Sequence, residues 1–209
     1  MYAALRPDNG VRNLILLTAP LDFSNKECGG FMRWVSAKDF DADKLVEAFG
    51  NMPGELIDYG AKALKPVENY IGNYLRLWDN LDDPGVVESW HAMNTWVTDN
   101  IPMSGAAYKQ LITDFYRENR LFEGRLSLRG ELVDLARVRA ALLDVVAEQD
   151  HIVPPNESES ILSRVSSDDK ELLRVPGGHI GIMAGSQAIH RTWPKMERWL
   201  EQRSQLGAH

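Results

Sequence analysis

An α/β fold, a small parallel sheet interrupted by a large helical insertion, is what this 209-residue sequence predicts. Three observations predict it. Val11 to Leu17 is a nearly continuous apolar run stopped by Pro20, the pattern of a parallel strand covered on both faces. Two further runs, Leu142 to Ala147 and Leu172 to Val175, repeat that pattern near the C-terminus. Between the first run and the second lie more than a hundred residues with helical spacing, rich in Trp, Tyr and Met. The expected order is strand, helical insertion, strand, helix, strand, helix, one doubly wound core carrying one insertion. In residue numbers, 1–23 form a helix end and the first core strand, 24–138 the helical lid, and 139–209 the C-terminal α/β core.

Within the insertion, helix starts are marked by caps. Asp41 precedes Lys44-Leu45-Val46 with Gly50 behind, Asp83-Pro84 precedes a run through Trp90, Met93 and Trp96, and Ser104 precedes Tyr108, Leu111, Ile112 and Phe115. A short hairpin is expected around Gly124 to Gly130, with Leu126 and Leu128 alternating. Asn156-x-x-Glu159 reads as a capping box opening a helix through Ile161, Leu162 and Val165. A last helix places Ile189, Trp193, Met196, Trp199 and Leu200 on one side, kinked or restarted at Pro194. The aromatic residues of the insertion, Trp78, Trp90, Trp96, Tyr70, Tyr74, Met93 and Phe115, read first as its own core; the alternative is a path for an apolar acyl chain.

Composition narrows the function classes. Net charge is −7 with 23 basic and 30 acidic residues, and no basic cluster is present to grip phosphates, so nucleic acid is not an expected partner. No apolar run approaches a membrane span, and the first residues have no secretory pattern, so a cytoplasmic protein is expected. The single Cys28 cannot form an internal disulfide, in keeping with a reducing compartment. No His or carboxylate spacing suits a metal, and no cofactor motif is found.

Two residues carry the candidate chemistry. Asp150 follows the Leu142-to-Ala147 strand and His179 follows the Gly177-Gly178 turn after the next one, which places both beyond the carboxyl ends of parallel strands, where active residues of open sheets gather. A carboxylate there can fix the tautomer of an imidazole that takes a proton from a nucleophile. The plain alternative is an Asp capping the turn before Pro154-Pro155 and a His filling a loop. His151, His91, His190 and His209 are weaker candidates. The third member is not visible: no G-x-[S/C]-x-G strand-to-helix turn occurs in the chain. Ser24 and Cys28, on the loop after the first strand, are surrogate nucleophiles, with Cys28-Gly29-Gly30 giving a thiol room to approach an imidazole. No strand leads into that segment, and an incidental cysteine is the plainer reading. Ser104 and Ser186 read as helix-start residues.

Several stretches together resemble one family. They are Val11 to Phe23, Asn119-Arg120-Leu121-Phe122-Glu123-Gly124, Glu148-Gln149-Asp150-His151-Ile152-Val153-Pro154-Pro155, Gly177-Gly178-His179-Ile180-Gly181 and Trp193-Pro194-Lys195. In this order they resemble the catalytic subunit of class III polyhydroxyalkanoate synthases, nearly end to end. The resemblance implies the C-terminal part of an α/β-hydrolase fold with a helical lid, and the growth of a polyester from 3-hydroxyacyl-coenzyme A. It implies that His179 activates a cysteine and Asp150 the incoming hydroxyl. It also implies that the chain starts where the helix after the family's cysteine box ends, so the nucleophile is missing or replaced and full synthase activity by this chain alone is not expected. What remains is a protein of acyl ester or thioester chemistry, such as a small esterase, or a non-catalytic association module completed by a partner.

An uncovered first strand would expose unpaired backbone along Leu14 to Leu17. A homo-oligomer is therefore expected, through that edge or the lid helices, or a separate chain supplying the missing half.

Overall fold

The computed structural model describes residues 1–8, 10–24, 30–185 and 188–204, the side chains of Gly30 and Arg33 excepted. After a one-turn helix α1 (Tyr2–Leu5), strand β1 (Asn13–Leu17) enters the sheet. The chain then builds the lid: α2 (Gly30–Val35), α3 (Ala42–Phe49), α4 (Gly54–Lys62), a π-helical turn Glu68–Gly72 leading into α5 (Asn73–Trp78), α6 (Pro84–Thr98), and α7 (Gly105–Gln110) continued by the π-helical Leu111–Arg117. A hairpin of β2 (Ser127–Leu128) and β3 (Glu131–Leu132) and a 3₁₀ turn Leu135–Arg137 lead to β4 (Ala141–Ala147). Then come α8 (Pro155–Glu159), a 3₁₀ turn Ser160–Ser163, β5 (Lys170–Val175), α9 (Gly181–Ala184), a π-helical turn Ala188–Thr192 and α10 (Trp193–Ser204).

The main sheet has the order β1-β4-β5, all parallel, with Ile15 opposite Leu143 and Val145 opposite Leu173. Parallel strands need both faces covered, and β4 achieves it. Leu142 faces a cluster with Leu126, Val133, Ile161 and Val165, while Leu143, Val145 and Ala147 face Ile182 and Trp199. Strand β1 differs from expectation: its five residues are all only partly buried. It is an edge strand, paired with β4 alone among the described residues, so one flank lacks the neighbour that would complete its cover.

The caps at Asp41 and Asp83 form as the sequence predicts. Asp41 accepts from the amides of Asp43 and Lys44, and Asp83 from those of Gly85 and Val86. Ser104 is at the N-cap of α7 but makes no side-chain cap bond, so the apolar spacing behind it, and not the cap, carried that prediction. The next residue is fixed by packing: a Cβ on Gly105 would lie 2.0 Å from the carbonyl oxygen of Gly50, so α7 sits on the end of α3 with room only for glycine. The hairpin turns at Arg129-Gly130, both at positive φ, at the C-terminal end of the expected segment.

Three further expectations are corrected. Helix α8 starts at Pro155 with Pro154 at its N-cap, not at a capping box on Asn156; Glu159 reaches across to Arg174 at 2.6 Å. Ile189 is exposed, because the last helix proper begins at Trp193 and the preceding π-helical turn rotates Ile189 off the buried face carrying Trp199. Of the seven lid residues expected to form its core, Phe115 packs against the buried cluster and Trp90 and Met93 are half-buried, but the other four are exposed. Trp78 is 73% exposed and Trp96 63%, with Tyr70 and Tyr74 exposed as well. Helix α6 touches both α4 and α5, the latter through an edge-to-face contact of Trp90 with Tyr74, yet Leu75 and Trp78 of α5 and Val86 and Trp96 of α6 stay exposed as an apolar face. The lid's buried cluster is at its base: Phe23, Met32, Val35, Ala42 and Ile112, with Phe115 and Tyr116 beside them. No helix among the described residues is long and apolar enough to cross a membrane.

Candidate active site

The sheet brings two loops together at its carboxyl end. Past β4 and β5 the ladder continues: the Glu148 amide donates to Val175 O and the Gln149 amide to Gly177 O, both at 3.0 Å, and the Gln149 side chain accepts from the Gly177 amide. Gly177 holds φ +131°, a conformation L side chains rarely adopt, which lets the chain turn back over the acid loop. His179 stands at the crest of that turn, just before α9.

Asp150 faces it. Its Oδ2 lies 2.7 Å from His179 Nδ1, and its Oδ1 accepts from the amides of Ile152 at 2.8 Å and Val153 at 2.9 Å. Two readings of Asp150 weighed from sequence thus hold together: it caps the turn before Pro154-Pro155 and it binds the histidine. The Asp150 side chain is fully buried, while that of His179 is 30% exposed. A carboxylate has no proton to give, so Nδ1 carries the hydrogen and Nε2 is left as the acceptor. That pair can hold one imidazole tautomer, take a proton at Nε2 and stabilise the resulting cation.

His151 is half-buried beside this pair, its pKa lowered by burial first and then by Lys65, a lid residue; Asp150 and His179 also act on it. The lid segment carrying Lys65 and Glu68 therefore comes close to the acid and histidine loops. His91 and His190 are exposed on helices. Ser24 is exposed, its amide bonded to Asp22 Oδ1 at 3.0 Å. Cys28, Ser186 and His209 lie outside the described residues. Among the described residues no group of three or more His, Cys, Asp or Glu could hold a metal ion.

A polar hub that no sequence motif marks lies behind Asp150. Asp22, on the loop after β1, accepts from Asn119 Nδ2 at 2.8 Å; Asn119 in turn accepts from the Phe23 amide at 3.1 Å and sits at φ +47°. Glu157, on α8, is 3% exposed, and its carbonyl accepts from the amides of Leu21 at 3.0 Å and Asp22 at 2.9 Å. Burial, then the charges of Asp22 and Asp150, push the Glu157 carboxyl up to about 8. Asp22 and Asn119 were within stretches that carried the family resemblance; Glu157 had no signal beyond a carboxylate in a first helical turn.

The chain as a whole is similar to known proteins. The chain is 38% identical over 208 residues to the poly(3-hydroxyalkanoate) polymerase subunit PhaC of Haloferax mediterranei, covering 99% of this chain and 42% of that protein. Against PhaC of Allochromatium vinosum it is 37% identical over 203 residues, covering 97% and 56%. The chain is homologous to the PhaC polymerase subunits. It spans about half the length of these curated relatives. No protein-family model matches it. Its fold is that of the α/β hydrolases: the crystal structure of Paleococcus ferrophilus monoacylglycerol lipase superposes with a TM-score of 0.54 at 18% identity, covering 97% of this chain and 63% of that one.

Proposed function

We propose that this chain serves acyl ester or thioester chemistry, with His179 as the acid/base and Asp150 as the carboxylate that orients it. The observation carrying this reading is the 2.7 Å contact between His179 Nδ1 and a fully buried Asp150, which leaves Nε2 to receive a proton. Homology to PhaC supports acyl transfer as the reaction class, and an acyl-coenzyme A thioester as the substrate. In this reading a nucleophile gives its proton to Nε2 as it attacks the acyl carbonyl, and His179 returns it to the leaving group. The nucleophile is Ser24 on the loop after β1, Cys28 four residues further along the sequence, or a residue of another polypeptide placed beside that loop. Hydrolysis of a short-chain aryl ester by the chain and by its His179→Ala variant tests this, with mass spectrometry for an acylated residue. The expected result is a rate at least about 100-fold lower in the variant. An equal rate in both, or no rate in either, would reject the chain as an enzyme of this kind by itself.

A second reading has its own support: the outer edge of β1 has no strand paired to it among the described residues, and apolar side chains crowd the outward face of α5 and α6. In it the chain is an association module that contributes acid, histidine and lid to an assembly of two copies or to a separate partner chain. Sedimentation at low and high concentration is expected to show a concentration-dependent dimer or larger species. A monomer at every concentration would exclude self-association.

A further inference from the structure

Glu157 sits where three parts of the molecule meet. Its backbone carbonyl holds the loop after β1 through Leu21 and Asp22, its helix follows directly from the acid loop, and Tyr116 of the lid base feels its charge. Tyr116 in turn packs on Phe23 with ring centroids 4.4 Å apart. The side chain is buried, and the charges acting on it come from separate elements: Asp22 from the β1 loop and Asp150 from the acid loop. Both of those carboxyls are taken up as acceptors, Asp22 by Asn119 and the Ser24 amide, Asp150 by two amides and His179. Among the described residues no lysine or arginine forms an ion pair with Asp22 or Glu157. The other acid of α8, Glu159, is committed to Arg174 of β5, and Ser158 to Asp144. A carboxyl this buried, acted on by two negative charges and paired with no cation among the described residues, keeps its proton.

We infer that Glu157 is a positioning residue whose side chain works as a neutral carboxylic acid behind Asp150, keeping a second negative charge away from the Asp150–His179 pair, while its backbone carbonyl holds the loop after β1. This deepens the acyl-chemistry reading and rests on it for its purpose, since in that reading the nucleophile comes from or beside the loop after β1. At neutral pH the pair then carries the one negative charge that an imidazolium would balance. When Glu157 loses its proton the charge behind the pair doubles, and both the histidine and the Asp22 loop must respond.

Carbon-13 and nitrogen-15 NMR titration of the 209-residue chain tests this without requiring turnover. The Glu157 side-chain carboxyl is expected to titrate near pH 8, and the His179 ring resonances to show an inflection at the same pH. In Glu157→Gln, which keeps the shape and neutrality, that inflection is expected to vanish. A Glu157 carboxyl titrating in the ordinary range near pH 4.5, or a His179 curve identical in chain and variant, would overturn the assignment. Should the variant not fold, the wild-type carboxyl titration decides alone. Because no ester is cleaved in this test, its failure counts against Glu157, whereas a missing His179-dependent rate counts against the chemistry.

Discussion

Replacing Asp150 with asparagine is expected to lower any His179-dependent ester cleavage by about 10³- to 10⁴-fold while leaving the fold nearly as stable as before. The asparagine oxygen can still accept from the amides of Ile152 and Val153, so the turn before Pro154-Pro155 persists. Its amide group, however, would face Nδ1 as a donor and favour the tautomer with the hydrogen on Nε2, the wrong form for a base. Asp150→Ala separates the two roles of the residue. It removes the acceptor for both amides as well as the histidine's partner, and each stranded buried amide costs about 1–3 kcal/mol. Thermal unfolding of the two variants beside their ester kinetics is the measurement. Equal loss of stability in both would mean the carboxylate charge itself holds the loop; unchanged kinetics in Asp150→Asn would leave His179 without need of an orienting anion.

The core was legible because β4 reads as an apolar run broken only by Asp144, the pattern of a strand covered on both faces. The positions of Asp150 and His179 followed from the strands before them. Where the reading failed, tertiary context decided. Trp78 and Trp96 have the spacing of core residues, yet spacing states only that a helix has an apolar face, not that anything covers it. Strand β1 has the composition of a central strand, yet composition cannot name its neighbours. The Asn156 capping box gave way because Pro154 and Pro155 already set the first helical turn, freeing Glu159 for Arg174. Glu157 was invisible for a deeper reason: a carboxylate's sequence neighbours carry no information about which charges approach it across the fold.

Two buried acids give the chain an expected pH dependence of stability opposite to that of most folded proteins. Asp144 lies in the middle of β4, fully buried, with Oδ1 accepting from Ser158 Oγ at 2.8 Å and Oδ2 without a partner. Burial raises its pKa to about 6, opposed by the Ser158 bond and aided by the charge of Glu159. Glu157 is raised to about 8. A group whose pKa is higher in the folded state binds more protons there than in the unfolded chain, so stability falls as pH rises through the interval between the two values. For Asp144 that interval runs from 3.8 to about 6, and for Glu157 from 4.5 to about 8. Each pKa unit corresponds to roughly 1.4 kcal/mol, so each acid costs on the order of a few kcal/mol by the upper end of its interval. Asp169, Glu118 and Glu131 work the other way, their pKa values lowered by bonds to Arg203, Arg120 and Arg6, but these are solvent-exposed pairs of small worth. The buried acids win. Urea unfolding is expected to give greater stability at pH 5 than at pH 8, with Asp144→Asn more stable than the parent at pH 8 and little different at pH 4. The asparagine keeps the acceptor for Ser158, and its amide hydrogens suit the buried Oε1 of Glu159, which has no partner and whose charge already acts on Asp144. A parent chain as stable at pH 8 as at pH 5, with no gain in Asp144→Asn, would mean that both carboxyls find compensation in the folded protein and that the charge behind the His179 loop is not held neutral.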